Sequence, residues 1–204
     1  MTDSETKSLQ DLIDELPANR RALVREFAEY LHGLPPRPEE PDRPPEPGPE
    51  AQVSLREITA DTVRTICQLS DTLPPPKKWM VAPNAISIAQ AHFEPHAWFR
   101  AIYAGETPVG FIMLYDGGPD QDEPDRGPVY FLWRFMIAGP HHGKGYGRRA
   151  IELLVDYVKT RPEAKELIVS CGEGPGSPEG FYKKLGFARS GRMYDREVGL
   201  VMKL

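Results

Sequence analysis

Eight prolines fall between residues 35 and 49, and this segment constrains the fold more than any other feature of the chain. Proline lacks a backbone N–H, disrupts the interior of a helix and is excluded from central strands. Charged residues separate the prolines without any apolar periodicity, so the segment cannot contribute to a core. We therefore predict a Pro-rich linker at residues 35–50, which separates residues 1–34 from residues 51–204.

Before the linker, apolar residues recur at helical spacing in two stretches that Pro17 separates. The first stretch runs from Leu9 to Leu16 and the second from Leu23 to Leu31, which predicts a helical hairpin over residues 1–34. Two short amphipathic helices bury little apolar surface between themselves. We therefore expect the main domain, a second copy of the chain or a protein partner to cover them.

After residue 51, strand and helix patterns alternate, which favours one mixed α/β (α+β) domain over residues 51–204. The predicted strands cover residues 53–57, 98–104, 109–115, 129–137, 166–170 and 197–202. The predicted helices cover residues 60–69, 84–91 and 177–185, with one more that ends before Pro162. Residues 116–128 are predicted to form a polar loop.

The motif His142-Gly143-Lys144-Gly145-Tyr146-Gly147 directly follows a predicted strand and opens a predicted helix. At such a position free backbone N–H groups and the helix dipole converge on an anion, and glycine lets the ligand approach the backbone closely. Lys144, Arg148 and Arg149 add positive charge. The spacing matches neither the dinucleotide-binding nor the Walker motif. The motif indicates a pyrophosphate-binding loop, with a simple glycine-rich turn as the alternative.

Composition excludes several other classes of protein. A formal net charge of −5 disfavours nucleic acid as a partner. The two cysteines, Cys67 and Cys171, have neither a metal-ligand spacing nor the density of a disulfide scaffold, so we expect no metal site. No apolar run approaches the length of a membrane span, and the first thirty residues do not resemble an export signal. We expect a cytoplasmic protein without a membrane partner.

The loop resembles the Gln/Arg-x-x-Gly-x-Gly/Ala signature of the GCN5-related N-acetyltransferase (GNAT) family, with His142, Gly145 and Gly147 in its three defined places. A second family motif follows at residues 181–187, Phe-Tyr-Lys-Lys-Leu-Gly-Phe. The run at residues 131–137 looks like the bacterial spermine/spermidine acetyltransferase branch. The resemblance implies the GNAT fold, a mixed central sheet in which strands 4 and 5 splay apart, with acetyl-coenzyme A as co-substrate.

The resemblance also implies roles for individual residues. The backbone from Gly143 to Arg148 would hold the pyrophosphate, Met136 and Ile137 would line the thioester, and the Tyr182 hydroxyl would protonate the departing thiolate. Packing beneath the last helix is the alternative role for Tyr182. The full predicted cofactor-binding set is Met136, Ile137, His142, Gly143, Lys144, Gly145, Tyr146, Gly147, Arg148, Ser177 and Tyr182.

Ser177 and Pro178 have the form of a helix cap, so Ser177 has a structural reason to be there before any ligand is considered. Many family members carry Asn where this chain has Pro175, and main-chain groups of residues 174–177 would replace that side-chain contact.

The amine must be neutral to attack, so a base or a water chain is needed. Glu173 and Glu94 are the predicted catalytic carboxylates by position, with a solvated surface role as the alternative for both.

Trp133 and Arg134 are expected on opposite faces of their strand, because side chains alternate along a strand. Arg134 is placed on the substrate side, with a structural ion pair as the alternative. An acidic loop could attract a cationic substrate, and its members are Asp116, Asp120, Asp122, Glu123 and Asp125.

The sequence thus predicts an N-acetyltransferase that transfers acetyl from acetyl-coenzyme A to a primary amine by direct attack in a ternary complex. A polyamine is the favoured acceptor. The alternatives are another amine (an aminoglycoside, an amino acid, a protein or an aminoacyl-tRNA) or an acetyl-coenzyme A-binding regulatory protein. In the regulatory alternative, residues 1–34 would bind a partner.

Overall fold

A computed structural model describes residues 8–33, 46–75, 77–120, 123 and 127–204. The chain divides into two compact units, residues 1–43 and 44–204. Most of the predicted linker lies outside the described residues. Its last residues, 46–50, are described and belong to the larger unit.

The smaller unit contains two helices, α1 (Leu9–Asp14) and α2 (Ala18–Gly33). Ser8 begins α1 with a reciprocal capping box, because its hydroxyl accepts from the Asp11 N–H and the Asp11 carboxylate accepts from the Ser8 N–H. The large apolar side chains of α2 that are exposed are Leu23, Val24, Phe27 and Tyr30.

The larger unit is built on one seven-stranded mixed sheet in the order β1-β2-β3-β4-β5-β7-β6. Its strands β1 to β7 are Val53–Arg56, Ala97–Ala104, Thr107–Pro119, Pro128–Ile137, Glu166–Cys171, Ala188–Tyr194 and Glu197–Lys203. Its helices α3 to α6 are Val63–Gln68, Asn84–Ala91, Tyr146–Lys159 and Glu179–Lys184. Strands β4 and β5 form a parallel pair between otherwise antiparallel neighbours. The predicted mixed α/β class is confirmed.

Helices cover both faces of this sheet. On one face α5 buries Ala150, Ile151, Leu154 and Val158, a stripe at spacings of one, three and four residues. On the other face Ile66 of α3 packs with Phe111 and Met113 of β3. The sheet is therefore the middle layer of three, with a helical layer on each of its faces.

Helix α4 buries two of its polar side chains and exposes an apolar one. Its Asn84 and Ser87 are buried, whereas Ile86 is 53% exposed. The helical pattern of residues 84–91 predicts that Ile86 and Ile88 are partly buried, and for Ile86 this prediction is wrong. Buried Asn84 donates to the Ile66 carbonyl oxygen at 2.8 Å, and its N–H donates to the Ser70 hydroxyl at 2.8 Å. These hydrogen bonds offset the burial of a polar side chain and fix the phase of the helix.

Two further predictions need correction. Strands β3 and β4 extend to Pro119 and from Pro128, so part of the predicted 116–128 loop is a strand ladder, which continues past a bulge between Asp116 and Gly118. Strand β6 was not predicted, because its exposed and largely polar sequence lacks the alternation of a half-buried strand. It forms the edge of the sheet and pairs only with β7 among the described strands.

Candidate active site

A cavity of about 900 Å³ opens where β4 and β5 separate. The two strands pair only at Phe131 with Ile168 and at Leu132 with Val169. Beyond these pairs both strands continue, β4 to Ile137 and β5 to Cys171. The predicted splay between strands 4 and 5 is thereby confirmed, and it leaves one edge of the second half of β4 without a neighbouring strand.

The glycine loop closes one end of this cavity. Gly143 and Gly145 both adopt φ = +78°, and apart from their own chain neighbours no heavy atom of the described residues lies within 4 Å of a Cβ built on either one. Gly145 is the N-cap of α5, whose first backbone hydrogen bond runs from the Arg149 N–H to the Gly145 carbonyl oxygen at 3.3 Å. The N–H groups at the start of the helix, before Arg149, thus have no partner within the helix and can donate hydrogen bonds to an anion.

The three predicted cations of this loop have different surroundings. Arg148 lines the cavity. The Lys144 ammonium instead forms an ion pair with Glu46 at 3.3 Å. The Arg149 guanidinium donates to the Lys144 carbonyl oxygen at 3.3 Å and lies 5.2 Å from the centroid of the Tyr146 ring. Of the three, only Arg148 is a residue of the cavity wall.

Two side chains of the motif hold the loop in place. The Tyr146 hydroxyl lies 2.7 Å from the Pro47 carbonyl oxygen and 2.8 Å from that of Gly48. The His142 Nε2 lies 2.6 Å from the Ile137 carbonyl oxygen and must be the donor, because a carbonyl only accepts. Both residues line the cavity. Their polar atoms, however, tie the loop to the end of β4 and to the segment before β1.

Met136 and Ile137 also line the cavity, at the end of β4. The Asn84 amide nitrogen lies 3.8 Å from the Met136 sulfur, which connects α4 to this point of the strand. On its other side β4 pairs with β3, with Ile137 opposite Gly110 and Met136 opposite Phe111. The two residues to which the family resemblance gives the thioester wall thus lie between β3 and α4.

Tyr182 is 4% exposed and lines the cavity from α6. Burial raises the pKa of its phenol, and the nearby Cys171 and Glu197 raise it further. Each of these effects disfavours the phenolate, so the group keeps its proton at neutral pH. The Tyr182 ring also packs edge-to-face against the Phe187 ring, with 5.5 Å between the ring centroids. Tyr182 therefore packs within the core and also lines the cavity.

Ser177, Cys171 and Ser170 line the same part of the cavity. The Ser177 hydroxyl accepts from the Glu179 N–H at 3.3 Å and lies 4.0 Å from the Cys171 sulfur. Burial is the largest cause that raises the pKa of the Cys171 thiol. Cys171 is therefore a buried, protonated thiol at neutral pH rather than an activated nucleophile.

Trp133 and Arg134 both line the cavity, but the expectation that they lie on opposite faces is wrong. A register shift between β3 and β4 places Met113 opposite Arg134 and Leu114 opposite Leu132, which leaves Trp133 as an extra residue. The Arg134 guanidinium accordingly lies 5.2 Å from the centroid of the Trp133 ring and donates to the Trp133 carbonyl oxygen at 2.9 Å.

Arg134 is desolvated in this position. Burial is the largest cause that lowers the pKa of its guanidinium, and the charge of Glu197 partly opposes the effect. Its Nε is buried and has no hydrogen-bond partner among the described residues. The ion pair that was the alternative role for Arg134 is not formed within the described part of the chain.

The structure does not bring the two predicted carboxylates into the cavity. Glu173 forms an exposed ion pair with Arg189 at 2.8 Å, and Arg189 also binds Glu179 at 2.6 Å. The Glu94 carboxylate accepts from the His96 N–H at 2.9 Å. Neither residue is part of the cavity wall, which agrees with the surface role given as their alternative.

The acidic loop is partly held by cations. Asp116 pairs with Arg161 at 3.0 Å, and Glu123 and Asp120 pair with Arg192. Asp122 and Asp125 lie outside the described residues. The described carboxylates of this group therefore pair with arginines of the protein itself, and none of them lines the cavity.

Sequence reasoning missed Glu197, the first residue of β7, and the segment Lys77–Pro83, all of which line the cavity. Glu197 lies more than 25 residues after Cys171 and Ser170 in the sequence. The pairing of β7 with β5 brings it beside these two residues. A charged residue at the start of a short strand gave no signal of this placement. The prolines of residues 73–78 predict a loop, which gives no signal that Lys77 and the residues after it line a cavity.

The cavity fits an extended ligand with a diphosphate at one end. The open glycine backbone offers N–H groups at the start of α5, and the free edge of β4 offers a place for an amide-bearing arm. His141 adds a buried Nδ1 without a hydrogen-bond partner among the described residues. These features suit coenzyme A. Among the described residues, no group of three His, Cys, Asp or Glu side chains could hold a metal ion.

The fold and the cavity together define a mixed-sheet protein with a cavity between two separated parallel strands, closed at one end by a glycine loop. Residues 64–187 match the model of the acetyltransferase (GNAT) family, and since this is more than half of the chain, the chain belongs to that family. The chain is 28% identical over 103 residues to the spermine/spermidine N(1)-acetyltransferase of Bacillus subtilis strain 168. That match covers 50% of this chain and 66% of the relative, just under two thirds of its length.

Solved structures show the same fold. An acetyltransferase from Thermus thermophilus superposes with a TM-score of 0.54 at 17% identity, covering 75% of this chain and 97% of that one. The PaiA N-acetyltransferase from Thermoplasma acidophilum, solved with coenzyme A, has a TM-score of 0.54 at 14% identity and covers 75% and 99%. No helix of the described residues is long and apolar enough to cross a membrane.

Proposed function

We propose that this chain transfers acetyl from acetyl-coenzyme A to a primary amine. The observation that carries the proposal is the cavity between β4 and β5, which connects the glycine loop at one end with Tyr182 and the free edge of β4. A phosphate site alone would fit many cofactors. A phosphate site joined to a strand edge and a protonated phenol fits a thioester on a long amide-bearing arm.

Bound acetyl-coenzyme A would supply an acetyl group activated as a thioester. The residues Gly143 to Arg148 would bind its pyrophosphate through backbone N–H groups. A main-chain N–H near Ile137 would stabilise the negative charge that develops on the carbonyl oxygen during attack. The Tyr182 phenol would donate its proton to the sulfur that leaves, and the proton lost by the attacking nitrogen would return to the Tyr182 oxygen by way of water. Direct attack by the amine suits the protonated state of Cys171, which disfavours a covalent cysteine route.

A polyamine is the acceptor that similarity supports, because the curated relative is a spermine/spermidine N(1)-acetyltransferase. A panel measuring thiol release with spermidine, spermine, an aminoglycoside, amino acids and peptides tests this acceptor. We expect the fastest release with a polyamine. Release with another amine alone would contradict the polyamine and keep acetyl transfer, whereas acetyl-coenzyme A binding with no release from any amine would favour the regulatory alternative.

The cofactor site is tested by Gly145→Glu. A carboxylate at this position should repel the pyrophosphate, and we expect acetyl-coenzyme A affinity to fall by at least about tenfold in calorimetry. Gly105→Glu is the matched control, because Gly105 also has a positive φ with open space around its Cβ and lies in the turn before β3. Equal affinity in both variants would refute the placement of the pyrophosphate.

The exposed apolar residues of α2 support a further proposal, that residues 1–34 mediate homodimerisation or bind a protein partner. Leu23 and Tyr30 are each 62% exposed, and the Phe27 ring lies 6.4 Å from the Tyr30 ring. Sedimentation of the full chain and of a variant lacking residues 1–43 separates the two. Self-association that the deletion abolishes indicates a second copy, whereas a monomer in both cases leaves a different protein as the partner.

A further inference from the structure

Glu197 is the one acidic residue among the described residues that line the cavity. It begins β7, and β7 pairs with β5 so that Val198 lies opposite Cys171 and Gly199 opposite Ser170. This register places the Glu197 carboxylate at the mouth formed by the separated strands. The position lies on the β5 side of the cavity, across from the wall formed by Met136 and Ile137 of β4.

The remaining charged side chains of the cavity wall are cationic. They are Lys77, Lys78, Arg134 and Arg148. A protonated amine that enters this cavity is repelled by these groups and needs a carboxylate to offset the repulsion. Glu197 is the only described residue of the wall that can supply it.

One hydroxyl orients the carboxylate. Ser170 donates to the Glu197 Oε2 at 2.5 Å, and both residues are part-buried. Among the described residues, Oε1 accepts no hydrogen bond and the carboxylate forms no ion pair. A carboxylate fixed by one hydrogen bond keeps acceptor capacity for a ligand on its other oxygen.

Glu197 is also electrostatically close to the residues assigned to acetyl transfer. Its negative charge contributes to the raised pKa of the Tyr182 phenol and acts on the Arg134 guanidinium. An acceptor held by Glu197 through an ammonium group would therefore lie near the phenol that protonates the departing sulfur, and the nitrogen that attacks the thioester must be a neutral one. Direct attack requires a short distance between the acetyl group that is transferred and the amine that receives it.

We infer that Glu197 is the carboxylate that binds the ammonium group of the acceptor amine in this cavity. The inference rests on the proposed acetyl transfer to an amine, and it assigns the acceptor end of the same site. The competing role is structural, in which the charge of Glu197 merely offsets that of part-buried Arg134. That role predicts a loss of stability without a change in the affinity for an amine.

The test compares Glu197→Gln with wild type by calorimetry, using spermidine as the probe and protein saturated with coenzyme A. Loss of a charge-assisted hydrogen bond should weaken spermidine binding by at least about tenfold, and Glu197→Asp should recover part of the loss. The affinity for coenzyme A should stay within about twofold. Glu152→Gln is the matched control, because Glu152 is exposed on α5 and lies outside the cavity.

Ser170→Ala provides a second, milder variant if the Gln protein folds poorly, and we expect a loss of about threefold from the unoriented carboxylate. Equal spermidine affinity in wild type and the variants, or no binding to wild type, overturns the assignment. Thiol release is scored separately. A wild type that binds spermidine through Glu197 but releases no thiol contradicts the proposed acetyl transfer and leaves the assignment standing.

Discussion

At Tyr182, burial and neighbouring negative charge act in the same direction, and both raise the pKa of the phenol. An acid with a raised pKa keeps its proton until the pH passes the raised value, so Tyr182 stays a donor at least up to its usual value near pH 10. We expect kcat to show no alkaline decline from this group below about pH 9.5. A full pH profile of thiol release measures this.

Tyr182→Phe should lower kcat by about a hundredfold while the affinity for acetyl-coenzyme A changes little, because the ring still packs and only the proton donor is lost. Tyr103→Phe is the matched control, since Tyr103 is a buried tyrosine on the other face of the sheet and does not line the cavity. If both variants keep wild-type kcat, the phenol is a packing group and the proton comes from elsewhere.

Single residues show where sequence reasoning was sufficient and where it was not. The glycine loop and Tyr182 could be found because local motifs specify them, and a backbone turn or a helix start depends mainly on its own sequence. Glu197 could not be found, because its place in the cavity depends on the pairing of β7 with β5 across the sheet. Glu173 and Glu94 were chosen by their position in the chain, and ion pairs and turns hold them elsewhere.

Among the strands, Gly110 of β3 lies against β4 with no room for a side chain. A Cβ at this position would lie 2.4 Å from the Met136 carbonyl oxygen, a backbone atom that cannot move without shifting β4. We expect Gly110→Ala to lower the free energy of unfolding by about 1–3 kcal/mol in urea titrations. Because β4 is a wall of the cavity, acetyl-coenzyme A affinity should fall as well.

Gly180→Ala is the control for this substitution. Gly180 lies in α6, has open space around its Cβ and no positive φ, so alanine should leave stability unchanged or raise it by up to roughly 1 kcal/mol. Equal effects of the two substitutions would show that the close approach of β3 to β4 does not limit the fold.

Helix α5 could be predicted because its apolar residues recur at regular helical spacing. Strands could not be predicted in detail where a bulge in the pairing interrupts the alternation of their side chains. The bulge at Trp133 shifts every later residue of β4 by one position relative to β3, and no local pattern signals an extra residue. This is why Trp133 and Arg134 share a face instead of alternating. The edge strand β6 escaped prediction for a related reason, since its backbone pairs with β7 while its side chains stay exposed.

For the whole chain, the order of elements and the family motifs were enough to predict a mixed sheet with separated central strands. The boundary between the two units was harder to predict from the sequence. A proline-rich composition indicates an extended chain, but it does not indicate which residues that chain contacts. The structure adds that Pro47 and Gly48 accept a hydrogen bond from Tyr146 and that Glu46 binds Lys144. These residues belong to the larger unit despite their composition.

Two deletions test this division of the chain. Every buried side chain of the described residues lies in the unit 44–204. Removal of residues 1–43 should therefore leave its free energy of unfolding and its acetyl-coenzyme A affinity unchanged. Removal of residues 1–49 also deletes the acceptors of the Tyr146 hydroxyl and should lower the free energy of unfolding by about 1–2 kcal/mol in urea titrations.

The two deletions differ by six residues, so the comparison isolates the segment that contacts the glycine loop. Tyr146→Phe in the full chain is the control, because it removes the same hydrogen bond while residues 44–49 stay in place. We expect this substitution to reproduce most of the loss seen on deletion of residues 1–49. If deletion of residues 1–43 alone destabilises the protein as much as deletion of residues 1–49, the smaller unit supports the larger one, and the stability of the glycine loop does not depend on the contacts of Tyr146.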